Sequence, residues 1–76
     1  MSAQGVVLFH TTSAALRAEK VAAKGGLSAK LIPTPRHLSS DCGISLCFDW
    51  PDKEKLTQVL EAAKVPTAGI HPFEGT

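Results

Sequence analysis

Four short segments of the chain have the hydrophobic pattern of β-strands. Each is five or six residues long, rich in β-branched, large aliphatic or aromatic side chains, and flanked by Gly, Pro or hydroxyl residues. In the third segment Ile44, Leu46 and Phe48 alternate with smaller side chains, which indicates a strand with one buried face. The fourth contains Gly69 and Pro72, which favour the edge of a sheet. The predicted strands are residues 5–10, 29–33, 43–48 and 68–73.

Residues 13–24 repeat small apolar side chains at helical spacing. The segment is rich in Ala and contains no Gly or Pro, and Thr12 or Ser13 can supply the capping hydroxyl at its start. Gly25 and Gly26 follow at the position where helices usually end. The predicted buried stripe of this helix comprises Ala14, Ala15, Ala18, Val21 and Ala22.

A second helix is predicted to begin at residues 49–52, which read Asp-Trp-Pro-Asp. A capping Asp, an early Pro and another acid in the first turn are together typical of a helix start. Lys64 is expected in the last turn, and Pro66 is expected to stop the helix. Its predicted apolar stripe is Leu56, Val59, Leu60 and Ala63.

The resulting order, β-α-β-β-α-β, predicts a ferredoxin-like α+β fold. Because each helix has one apolar face, the economical packing is a two-layer sandwich, in which a four-stranded sheet carries both helices on one face. The chain of 76 residues suffices for a single domain, residues 1–76. Ser45 and Cys47 then lie on the second sheet face, which is expected to be uncovered. Such a face commonly meets a partner or a second copy, so a homodimer through it is one expectation.

Charge and hydropathy narrow the class of partners. Lys and Arg number 8 and Asp and Glu number 7, a near-balance without the basic patch that binds nucleic acid or anionic membranes. No segment approaches the roughly 20 apolar residues of a membrane span, and no secretory signal is recognisable at the start. The expected compartment is therefore the reducing cytoplasm, in which Cys42 and Cys47 remain free thiols.

The longest irregular segment, residues 34–43, contains the first candidate for chemistry, Cys42. The segment has no periodicity, is rich in Pro, Ser, Asp and Gly, and ends directly before the third strand. Cations, His side chains and free backbone N–H groups favour the thiolate form of a cysteine. Arg36 and His37, which are near Cys42 in sequence, therefore favour its thiolate, whereas the carboxylate of the adjacent Asp41 disfavours it. An ordinary loop cysteine is the alternative interpretation. The candidate site comprises the thiol of Cys42, Arg36, the hydroxyls of Ser39 and Ser40, and the backbone at Gly43.

The other potentially reactive residues have simpler explanations. Cys47, within an alternating strand, is typical of a small buried hydrophobe. His10, His37 and His71 show no zinc-type spacing with each other or with the cysteines, so no metal and no cofactor is expected. On one extended strand the two cysteines would lie about 16 Å apart, beyond the roughly 7 Å limit for a disulfide, unless the loop folds back.

Three segments of the chain carry a resemblance that extends over nearly its whole length. They are residues 9–20 (FHTTSAALRAEK), 31–36 (LIPTPR) and 38–43 (LSSDCG), and the most specific part is the block from Pro-x-Pro-Arg to Ser-Ser-x-Cys-Gly. This pattern resembles the selenium/sulfur carrier-like family of small proteins, with Cys42 at the motif cysteine. The resemblance implies a cysteine that holds sulfur or selenium as a persulfide or selenopersulfide, with a donor protein and an acceptor enzyme as partners.

Three hypotheses of function follow. The first is a carrier rather than a complete enzyme, in which the Cys42 thiolate takes up the chalcogen and Arg36 or backbone N–H groups near Gly43 stabilise the anion. The second is a small binding or regulatory module that uses the uncovered sheet face, since the fold does not decide among such roles. The third is soft-metal binding by Cys42 with His37 or Cys47.

Overall fold

All four predicted strands and both predicted helices are present in the computed structural model, which describes residues 3–35, 38 and 43–73. Their bounds differ from the predicted ones by a few residues, and a 3₁₀ turn at Trp50–Asp52 precedes the second helix. The elements are β1 (Gln4–Leu8), α1 (Thr12–Lys24), β2 (Ala29–Pro33), β3 (Ile44–Asp49), α2 (Lys53–Ala62) and β4 (Gly69–Phe73).

The four strands form one antiparallel sheet in the order β2-β3-β1-β4. The central strands β1 and β3 pair with Val7 opposite Leu46, and β2 pairs with β3 as a hairpin. β4 is an edge strand, as Gly69 and Pro72 predict. Both helices pack on one face of this sheet, which confirms the ferredoxin-like α+β sandwich.

The main core lies between the helices and the sheet. Phe9, Leu46 and Leu56 are fully buried at its centre, and Ile44 and Phe48 point toward the same side. The predicted direction of the alternating residues of β3 is therefore confirmed. The predicted stripe of α1 is confirmed as well, and its buried members are Ala14, Ala15, Ala18 and Ala22. These small side chains let the helix approach the sheet closely.

The starts of both helices differ from the predictions. Thr11, rather than Thr12 or Ser13, caps α1, because its Oγ1 accepts a hydrogen bond of 3.1 Å from the N–H of Ala14. Asp49 belongs to the end of β3 and makes no side-chain capping bond. Since Asp49 is held in the ladder opposite Gln4, the chain turns through a 3₁₀ segment first, and the α-helix begins later than predicted.

A left-handed residue follows each helix. Gly26 (φ 76°) follows α1, and the N–H of Leu27 donates to the carbonyl of Ala22 at 3.0 Å. After α2 the left-handed position is occupied by Lys64 (φ 57°), and the N–H of Val65 donates to the carbonyl of residue 60 at 2.9 Å. Lys64 therefore lies after the helix, not in its last turn as predicted.

Replacing Lys64 by glycine should stabilise the protein by about 1 kcal/mol, because a side chain with a Cβ is strained in the left-handed region and glycine is not. The midpoint of urea unfolding measures the effect. Lys24→Gly is the matched control: Lys24 ends α1 in the helical conformation, so glycine there should destabilise by up to about 1 kcal/mol. A loss of stability in both variants would contradict the assignment of Lys64.

The second face of the sheet is not uncovered at its centre. Val6, Leu8 and Cys47 form a second cluster on this face and expose only 0%, 3% and 5% of their surface. The expectation of an uncovered face is therefore wrong for its central part. Part of the reason is Leu38, which packs on the cluster from the connection between β2 and β3, together with side chains at the sheet edges.

Candidate functional site

The candidate site lies in the connection between β2 and β3, and the hairpin fixes both ends of that connection. The ladder of β2 and β3 runs to the pair Pro33 and Ile44. One step further, the N–H of Thr34 donates to the carbonyl of Gly43 at 3.0 Å. The segment that contains Cys42 therefore emerges from a closed hairpin base.

Most of the predicted site residues fall outside the part of the chain that the structure describes. Gly43 is described, whereas Arg36, Ser39, Ser40 and Cys42 are not. A Cβ built on Gly43 would meet nothing within 4 Å among the described residues. That backbone N–H groups near Gly43 favour an anionic sulfur on Cys42 stays a prediction, since Cys42 lies outside the described residues.

A buried polar pair supports the hairpin base. The Oγ atoms of Thr34 and Ser45 are 2.8 Å apart and share a hydrogen bond, and Ser45 is fully buried. A buried hydroxyl without a partner would cost about 1–3 kcal/mol, so this bond stabilises the base in one geometry. The pair could not be predicted from the sequence, because it depends on the register of two strands separated by an irregular segment.

A second anchor lies within the connection. Leu38 is half-buried against the cluster of Val6, Leu8 and Cys47, and its N–H donates to the carbonyl of Pro35 at 3.0 Å. The described residues thus tie the connection to the sheet at Leu38 as well as at its two ends.

The second cysteine of the chain, Cys47, is a buried free thiol on the second face. Burial raises its pKa; the ammonium of Lys30 opposes this rise and the carboxylate of Asp49 adds to it. The thiol therefore stays protonated at neutral pH. Since the thiolate is the nucleophile, Cys47 is a poor candidate for transfer chemistry.

The raised pKa of Cys47 predicts a pH dependence of stability. The unfolded chain ionises this thiol first, above roughly pH 8.5, so the free energy of unfolding should fall as the pH rises from there through the folded pKa. One proton limits the slope to about 1.4 kcal/mol per pH unit. Urea unfolding of the Cys42→Ser variant, in which Cys47 is the remaining thiol, measures this dependence when it is repeated between neutral and alkaline pH. The slope should disappear when Cys47→Ala is added; an unchanged slope would contradict the assignment.

A disulfide between the two cysteines is excluded by chain geometry. β3 is extended, so Gly43 and Cys47, four residues apart, are separated by about 13 Å. The single peptide unit between residues 42 and 43 spans about 3.8 Å between Cα atoms. The Cα atoms of the two cysteines therefore stay further apart than the roughly 7 Å that a disulfide allows. Folding back of the loop, considered at the level of sequence, does not remove this obstacle.

No metal-binding cluster of three or more His, Cys, Asp or Glu side chains occurs among residues 3–35, 38 and 43–73. β1 and β4 are neighbours, with His71 opposite Val6, while His10 lies beyond the end of β1. His37 and Cys42, the other residues of the soft-metal hypothesis, lie outside the described residues. No helix within the described ranges is long and apolar enough to cross a membrane.

The fold and the site together define a small ferredoxin-like domain with a cysteine-containing connection closed at its base by the β2–β3 hairpin. The chain belongs to the family described as putative Se/S carrier protein-like, whose model matches residues 4–72. The resemblance found in the sequence is thereby confirmed. Neither the curated proteins nor the solved structures compared with the chain include a significant match.

Proposed function

We propose that this protein is a carrier that holds sulfur or selenium on Cys42 as a persulfide or selenopersulfide and delivers it to a partner enzyme in the cytoplasm. The observation that carries the proposal is membership of the Se/S carrier-like family over residues 4–72, a range that includes Cys42. The geometry around the site agrees with it, because Thr34 and Gly43 close the hairpin base next to this cysteine.

The proposed transfer of sulfur from a donor to Cys42 needs no oxidant or reductant. The Cys42 thiolate attacks the terminal sulfur of a donor persulfide, the sulfur–sulfur bond of the donor breaks, and the donor leaves as a thiolate. Cys42 then carries the persulfide, and the thiolate of an acceptor repeats the exchange. Arg36 and backbone N–H groups near Gly43 stabilise the anion on Cys42, and selenium follows the same course.

The state of Cys47 supports a carrier with one working thiol. Its burial and raised pKa keep it from competing for the donor. Because a Cys42–Cys47 disulfide is out of reach, Cys47 also cannot form a disulfide with Cys42 and expel the bound sulfur within the chain. Release of the bound sulfur then needs a thiol from another molecule, which agrees with delivery to a partner enzyme.

Loading by a donor tests the proposal. The protein is incubated with a cysteine desulfurase and cysteine, alkylated to trap persulfides, and analysed by mass spectrometry. Trypsin leaves both cysteines in one peptide, residues 37–53, so chymotryptic cleavage after Leu46 is needed to separate them. We expect one additional sulfur on the Cys42 fragment, removed by a thiol reductant. An unmodified Cys42, under conditions that load another carrier, would contradict the proposal.

The alternative of a binding module acting through the second sheet face receives less support. Val6 and Leu8, at the centre of that face, are already buried within the chain, so they offer no apolar surface to a partner or a second copy.

A further inference from the structure

One corner of the second sheet face is polar. Side chains alternate along a strand, so Lys30, Cys47 and Asp49 point to the same face as the cluster of Val6 and its neighbours. The register brings them together, because Lys30 is paired with Cys47 across the β2–β3 ladder. Gln4 is paired with Asp49 across the adjacent β1–β3 ladder, which adds an amide to the corner.

A cavity of about 220 Å³ lies at this corner. It is smaller than the roughly 300–1,000 Å³ of pockets that hold drug-sized ligands, so its size suits a molecule of a few non-hydrogen atoms. The residues with polar side chains among those that line it are Gln4, Ser28, Lys30, Cys47 and Asp49.

The cavity contains one group of each charge. The ammonium of Lys30 and the carboxylate of Asp49 both act on the thiol of Cys47, in opposite directions, so both lie near it. Yet Lys30 and Asp49 form no ion pair with each other, and Asp49 makes no capping bond to the turn that follows it. A ligand with a single charge would satisfy one of these groups and meet repulsion from the other. A ligand with both charges would satisfy the two together.

We propose that this corner binds a free α-amino acid with a short side chain. The α-carboxylate pairs with Lys30, the α-ammonium pairs with Asp49, and the side chain rests against Cys47. Gln4 and Ser28 provide further hydrogen bonds at the rim. The site goes beyond the carrier function and does not depend on Cys42, which belongs to the connection at the opposite end of the β2–β3 hairpin.

Titration of the ¹⁵N-labelled protein with L-serine, followed by NMR, tests the proposal. Serine has the size and both charges but no thiol to exchange with cysteine. We expect saturable shifts of the backbone amides of residues 28–30 and 47–49, with an affinity in the millimolar range because the charged groups are partly exposed. Glycerate, which lacks the ammonium, and serine methyl ester, which lacks the carboxylate, should each bind about fivefold more weakly.

Variants localise the site. Lys30→Met and Asp49→Asn should each weaken serine binding about fivefold, whereas Lys20→Met and Glu61→Gln, exposed residues on the helices, should leave it unchanged. Cys42→Ser should also bind serine normally, which separates this inference from the carrier function. Absence of saturable shifts, equal binding of the singly charged analogues, or wild-type affinity in both cavity variants would overturn the proposal.

Discussion

Replacing Cys42 by serine is expected to reduce the loading of sulfur or selenium to background. The carrier function assigns all transfer to this thiol, and a serine hydroxyl stays protonated at neutral pH and is not a nucleophile for a persulfide. The remaining thiol cannot take over, because Cys47 exposes only 5% of its surface and burial raises its pKa. Release of thiocyanate from the desalted protein by cyanide, which reports bound sulfane sulfur, measures the loss.

Cys47→Ala is the matched control for Cys42→Ser. Alanine is preferable to serine at this position, because a hydroxyl buried in the cluster with Val6 and Leu8 would add a polar group to an apolar environment. We expect loading close to that of the unsubstituted protein. If Cys42→Ser still takes up sulfur and a folded Cys47→Ala variant does not, the carrier thiol is Cys47, and the assignment of this role to Cys42 is wrong.

Gly5→Ala is expected to destabilise the protein by about 1–3 kcal/mol, a large part of the roughly 5–10 kcal/mol available to a small domain. A Cβ at Gly5 would lie 2.5 Å from Cε3 of Trp50 and 2.8 Å from Cζ of Phe48. These two rings stack with centroids 6.0 Å apart, and the backbone N–H of Trp50 is bonded to the carbonyl of Ala3 at 3.0 Å. The rings cannot withdraw without losing this packing.

Urea unfolding and tryptophan fluorescence both report the effect of Gly5→Ala, since Trp50 is the only tryptophan in the chain. Gly69→Ala is the control, because Gly69 is not left-handed and a Cβ there would meet only the end of the exposed His71 side chain, with Nε2 at 3.2 Å. It should be neutral or stabilising by up to about 1 kcal/mol and should keep the loading of the carrier. Equal losses of stability in the two variants would contradict the packing around Gly5.

The order of elements and the direction of the main core could be read from the sequence, because they depend on local periodicity. Ile44, Leu46 and Phe48 alternate cleanly, and this alternation is sufficient to place them under the helices. The helix starts could not be placed to the residue. Thr11 is followed by two further hydroxyl residues, each of which could cap the first helix. Asp49 pairs with Gln4 in the β1–β3 ladder and so belongs to the strand, not to the start of the second helix.

The cover on the second sheet face could not be predicted, because it depends on a contact between residues distant in sequence. Leu38 lies in a segment without periodicity, and nothing in its neighbours indicates that it packs on Val6 and Leu8. The surroundings of Cys47 depend in the same way on the register of two ladders, which pairs it with Lys30. The motif in the sequence singled out Cys42; the family match covers this position, and the role of Cys42 stays a prediction.

The most direct test of the central claim compares the reactivity of each cysteine in the folded and the urea-unfolded chain. Iodoacetamide alkylation at neutral pH, followed by chymotryptic cleavage after Leu46, gives separate rates for Cys42 and Cys47. If the loop presents and activates the carrier thiol, Cys42 reacts faster in the folded chain than in the unfolded chain, whereas buried Cys47 reacts more slowly. If Cys42 is alkylated no faster in the folded chain than in the unfolded chain, the claim that the loop makes it the reactive thiol of this protein is contradicted.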